Sequence, residues 1–229
     1  MHRLLLFLLL SFSLSLFSQQ VTITGAMKDV MWKGKTQAVV RTDTLPQAHL
    51  YGLGPMADLR GEVMIWDGMT FISQISESGE LRVVTTDTAS LPFFAYAHIP
   101  RWQEANLPDS VTDLASLESY LFSLPGSSDS PFLFTLTGKV RSGTIHCVNL
   151  PEGAVVRNPD EAHQGRQSFS FRKKEVLVLG FFSTRHKAIF THHDTFLHLH
   201  LITADRSLMG HVDALSWKKG LKLYLPNVK

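Results

Sequence analysis

From residue 21 onward the chain is built of short runs in which apolar positions alternate with polar ones or gather together, each run closed by Gly, Asp, Ser or Pro. VTITGAM, QAVVRT, GEVMIWDG, MTFISQI, LRVVTT, FFAYAHI, FLFTLTGKV, GTIHCV, EVLVLGFF, TFLHLHLI and LKLYLP combine β-branched or aromatic residues with such borders and predict strands. One segment has a different period. In SVTDLASLESYLFSL, residues 110–124, Leu114, Leu117, Leu121 and Leu124 recur at three- and four-residue steps, which predicts a helix. Ser110 and Asp113 have the spacing of a capping box at its start. LPGSSDSP, residues 124–131, is polar and closed by proline, and reads as a linker. The pattern predicts an α+β protein of mostly antiparallel or mixed sheet in two subdomains. Residues 19–127 form the first, with the Glu62 strand and the one helix, and residues 128–229 the second.

The first twenty residues, MHRLLLFLLLSFSLSLFSQQ, break this pattern. A basic start (His2, Arg3), an apolar and serine run from Leu4 to Phe17 and the small Ser18 read as a secretory signal peptide over residues 1–18. The run is shorter than the ~20 apolar residues that a spanning helix needs. The expectation is an exported chain, periplasmic or secreted, beginning near Gln19 and free of the membrane after cleavage.

Charge narrows the partners. The chain carries 22 basic and 20 acidic side chains, and the leader removes only Arg3. Near-neutrality argues against nucleic acid or an anionic membrane as the main partner. Cys147 is the single cysteine, so no disulfide forms within the chain and the fold depends on its hydrophobic core.

Candidate chemistry concentrates in HLHLITADRSLMGH, residues 198–211. In FLHLHLI the period is two, so a strand places His198 and His200 on one face and Leu197, Leu199 and Leu201 on the other. ADRSL interrupts before MGHVDAL resumes an extended pattern, which predicts a hairpin. With His200 opposite His211, their Cβ atoms lie roughly 5 Å apart and His198 follows diagonally on the same face. A one-residue slip sends His211 to the other face. A lone histidine on such a face is ordinarily solvated or hydrogen-bonded; three converging imidazoles suit a divalent metal. Three protein ligands leave one position open, as catalytic zinc sites do.

HLHLITADRSLMGHV resembles the H-x-H, aspartate-arginine and G-H-V segment of the α-acetolactate decarboxylase family. A second block, YGLGPMADLRGEVMIWDG over residues 51–68, is similar to that family's glycine turn and following G-E-x-x-x-x-D-G strand. LPFFAYAHI, FLFTLTGKV and VLVLGFFS extend the likeness from about Tyr51 to Pro226. The resemblance implies a zinc-dependent carboxy-lyase that converts 2-acetolactate to acetoin and carbon dioxide on a two-domain α/β scaffold. His198, His200 and His211 match the family's zinc ligands, and Glu62 matches a glutamate of its active site. Acetolactate bears its carboxylate beta to a ketone, so loss of carbon dioxide leaves an enediolate whose charge zinc stabilises as a Lewis acid. Glu62 then manages the proton that quenches it.

The chain also departs from the family. An arginine expected eight residues beyond Gly138 is replaced by His146, which lacks the permanent charge and bidentate fork of guanidinium. No acidic residue follows Asp213, so the family's further tail glutamate has no equivalent here. Pro55 follows the glycine turn, and Met209 stands where the family prefers a second glycine. The alternative reading is therefore a catalytically reduced relative that binds a small hydroxy-keto acid or metal without turnover. A homodimer is left open. Among other constellations, Cys147 reads as a buried small side chain, His192 and His193 as loop residues, and Asp205 and Arg206 as a turn pair with Asp205 bonded to nearby backbone. Gly52–Gly54 lacks the lysine and following helix of a phosphate loop.

Overall fold

A computed structural model describes residues 20–191 and 195–227. The expected leader, as well as His192 and His193, lies outside the described residues. The N-terminal half runs β1 (Thr22–Thr24), α1 (Met27–Lys33), β2 (Val40–Arg41), β3 (Leu50–Pro55), β4 (Glu62–Trp66), β5 (Met69–Ile75), β6 (Leu81–Thr86), β7 (Ser90–Leu91) and β8 (Phe94–His98). β9 (Trp102–Ala105) and α2 (Leu114–Ser123) follow. The rest comprises β10 (Phe132–Cys147), α3 (Pro159–Ala162), β11 (Gln167–Arg172), β12 (Glu175–Phe182), β13 (Leu197–Thr203), β14 (Met209–Trp217) and β15 (Lys222–Pro226).

These strands form a six-stranded sheet, ordered β1-β8-β3-β4-β5-β6, a seven-stranded sheet, ordered β12-β13-β14-β10-β15-β9 with β11 also on β10, and a separate two-stranded pair, β2-β7. Every pairing between the named strands is antiparallel. Mostly antiparallel α+β architecture is thus what the polarity pattern predicts. By pairing, the chain leaves the first sheet after His98, since β9 already belongs to the second through β15.

Alternation decides which side chains meet between the sheets. Leu53, Met64, Phe71 and Ala95 of the first sheet pack with Leu133, Leu179, Phe181, Ile202 and Met209 of the second. On the far side of the second sheet, Leu117 and Leu121 of α2 join Phe132, Phe134, Leu199, Leu201 and Val212. Glu62 shares the parity of Met64, and His198 and His200 that of Ile202. All three therefore face the inter-sheet core. On the α2 side, Gly180 lets the Phe134 ring lie tight against β12, because a Cβ on it would lie 2.3 Å from that ring.

Two local expectations are corrected. FLFTLTGKV and GTIHCV form one 16-residue strand, β10, instead of two. Gly138, at φ 133, lets the chain bend there without turning back. The helix begins at Leu114, the first leucine of its period, and not at Ser110. Asp113, not Ser110, is its N-cap, accepting from the Ser116 amide at 2.8 Å while Ser116 Oγ accepts from the Asp113 amide at 3.1 Å. Ser110 lies instead in a turn closed by the Val111 amide on the Pro108 carbonyl, and Asp113 bridges to Ser216 of β14.

Candidate metal centre

The β13–β14 hairpin has the register its histidines require. His200 lies opposite His211, with Leu201 opposite Gly210 and Ile202 opposite Met209. The loop between them is held by Asp205, whose Oδ1 accepts from the Ser207 amide at 3.1 Å and the Thr203 hydroxyl at 2.6 Å. Asp205 also pairs with Lys174, while Arg206 turns away and stacks 5.3 Å from the Phe71 ring. On the inner face the rings of His198, His200 and His211 lie 5.0 to 5.6 Å apart. One ring nitrogen from each falls within 4.8 Å of the others.

Burial sets the state of these groups. His198 and His200 are buried, and His200 Nδ1 donates to the Val63 carbonyl at 2.9 Å across the inter-sheet gap. That bond leaves Nε2 of the neutral ring with a free lone pair, the form that ligates metal. Burial, aided by His198 and His146 nearby, holds His200 well below the usual histidine range, so it stays neutral. Its Nε2 has no hydrogen-bond partner and lies 3.6 Å from Glu62 Oε2. A buried orphan nitrogen is costly. A cation at the three imidazoles removes that cost, so the donor set fits a metal.

Glu62 enters from β4 beside the Pro55 pairing, and its Oε1 accepts from the Val148 amide at 3.2 Å. Burial first, then the Asp213 charge, push its carboxyl well above the usual range despite that hydrogen bond. His146 comes from β10 directly opposite His211, and their rings are 4.7 Å apart. Cys147, the next residue, is buried on the other side at Ser73, as a small core side chain. Glu62, His146, His198 and His211 line one cleft, whose remaining wall includes Met27, Met31 and Trp32 of α1 and Leu59, Phe93 and Val148. His163, just past α3, completes the polar side, its ring perpendicular to His146 at 6.0 Å. Sequence reading missed His163 and the contacts of Asp213, because neither has a local pattern that points at the cleft.

Two antiparallel sheets meet at a cluster of three histidines, two of them buried, that could hold a metal ion, with the buried Glu62 carboxylate facing it. The chain belongs to the alpha-acetolactate decarboxylase family, a family of carboxy-lyases, whose model matches residues 21–227. Its structure is similar to that of alpha-acetolactate decarboxylase from Bacillus subtilis strain 168, with TM-score 0.71 at 18% identity over 90% of this chain and 84% of that one. The acetolactate decarboxylase of Bacillus subtilis subspecies spizizenii is similar at TM-score 0.72 and 19% identity, over 90% and 85% of the two chains. A Staphylococcus aureus protein described as similar to alpha-acetolactate decarboxylase gives TM-score 0.71 at 13% identity, over 90% and 84%. No curated protein sequence matches the chain significantly.

Proposed function

We propose that the protein is a zinc-dependent decarboxylase that converts 2-acetolactate, or a close 2-hydroxy-3-keto acid, to acetoin or its analogue and carbon dioxide. Export through the leader at residues 1–18 is part of this reading. The observation that carries it is the convergence of three imidazoles at the junction of the sheets, with His198, His211 and Glu62 lining one cleft there. His198, His200 and His211 would hold the metal, and zinc suits three neutral nitrogen donors. Zinc would supply Lewis acidity for the charge that develops on the substrate's oxygens as carbon dioxide departs.

The chain's own residues divide the remaining tasks. Val63 fixes the ring of His200 through its carbonyl. The Val148 amide anchors one oxygen of Glu62, leaving Oε2 directed at the histidines. Glu62 Oε2 is the atom that holds and delivers the proton replacing carbon dioxide on carbon. Leu59, Phe93 and Val148 keep the reacting end of the cleft dry, which strengthens each electrostatic contact there. His146 meets substrate oxygen opposite His211.

The test is acetoin release from racemic 2-acetolactate by the mature chain loaded with zinc, beside a His200→Ala control. Turnover that vanishes in the control supports the reading. A folded, zinc-loaded chain that releases no acetoin overturns it in favour of binding without turnover.

A further inference from the structure

β14 does not keep even register along β10. Thr144 pairs with Ala214 while Ile145 pairs with Val212, so Asp213 is an extra residue in β14. Such a bulge re-aims a side chain near a site. Here it brings Asp213 Oδ1 to 2.6 Å from His146 Nδ1. The imidazole is almost fully buried, whereas the carboxylate is partly exposed, with Arg166 Nη1 4.0 Å from the same oxygen on its other flank. An ionised carboxylate only accepts hydrogen bonds, so Nδ1 must carry the hydrogen. In a neutral ring, Nε2 is then an acceptor. Among the described residues, no lysine or arginine lines the cleft to take a substrate carboxylate by charge.

We propose that Asp213 is a positioning residue that locks His146 in the Nδ1–H tautomer. Nε2 thereby receives a hydrogen bond from the substrate's hydroxyl group; it does not donate one to its carboxylate. The inference rests on the decarboxylase reading for its substrate, but the tautomer is independent of it. The hydroxyl-bearing end of the substrate is then oriented by His146, and its carboxylate is left toward the apolar wall. Departure of carbon dioxide is helped when the carboxylate is not held by a cation.

The experiment combines 15N NMR of the zinc-loaded chain at pH 8 with kinetics of Asp213→Asn and Asp213→Ala. The His146 signals are assigned by their loss in His146→Gln. The expected result is a hydrogen on Nδ1 and none on Nε2. Asp213→Ala lowers kcat by at least about tenfold at unchanged zinc content, on the scale seen when a site histidine loses its hydrogen-bond partner. Asp213→Asn, whose amide can donate to Nδ1 as well as accept from it, no longer fixes the tautomer and also lowers kcat, at unchanged zinc content. A hydrogen on His146 Nε2 in the wild type overturns the proposal, as does equal loss in both variants accompanied by loss of zinc. Absence of acetoin from the wild type removes the decarboxylase reading alone, because the nitrogen signals still decide the tautomer.

Discussion

A methyl group on residue 210 would sit 2.4 Å from the carbonyl oxygen of His146, so only glycine lets β14 approach β10 where His146 faces His211. Gly210→Ala is expected to destabilise the fold by about 1–3 kcal/mol, the usual scale for forced overpacking, and to weaken zinc binding. Urea unfolding and metal titration check both, and an unchanged affinity would show that the approach is not needed. Cys147 behaves in the opposite way, through burial. Its thiol is pushed up to about 12, first by desolvation and then by the Glu62 charge. It is therefore protonated and inaccessible, and a thiol reagent at pH 8 should label it only after denaturation. At this scale the three metal-type histidines were legible because strand alternation puts H-x-H on one face. His163 and Asp213 were not, since one sits at a helix end and the other gains its direction from a bulge that no local pattern marks.

Among the elements, the long strand β10 and helix α2 show where a sequence pattern misleads about boundaries. Glycine at 138 looks like punctuation, yet its left-handed backbone only bends a strand whose two ends pair with β12 and β14. Ser110 and Asp113 have the right separation for a cap, but the tertiary bridge of Asp113 to Ser216 claims the residues before it. Asp113→Ala should cost about 0.5–2 kcal/mol by removing the cap, whereas Ser110→Ala should be near neutral. Thermal melts of the pair decide which residue begins the helix. The β13–β14 loop has a pH signature. Hydrogen bonding to Lys174, then Thr203 and Ser207, holds the Asp205 carboxyl below its ordinary value of 3.8. A depressed carboxyl stabilises the fold above its unfolded pKa, and that contribution is lost as pH falls through the folded one. The difference in urea midpoint between wild type and Asp205→Asn should therefore shrink from about pH 6 to about pH 2. A constant difference would show that the charge is not what holds the loop.

For the whole molecule, fold class and antiparallel character followed from the spacing of short β-rich runs. The assignment of β9 to the second sheet did not, because strand partners distant in sequence leave no periodic trace. A cation bound only to the native centre stabilises the fold by mass action, about 2.7 kcal/mol at a free concentration one hundred times Kd. Chelation should lower the melting temperature, and added zinc should restore it. His200→Ala should respond to neither treatment. An equal shift in that variant would place the bound metal elsewhere.

The bond from His200 to the Val63 carbonyl also bears on how the molecule comes into being. The hairpin brings the imidazoles, but the carbonyl that sets one of them and the carboxylate that faces it arrive on β4, more than a hundred residues earlier in the chain. Neither half holds the whole cluster by itself. The complete cluster exists only where the two sheets lie closed on one another, so a chain whose sheets are apart holds its imidazoles without the carbonyl and carboxylate that face them.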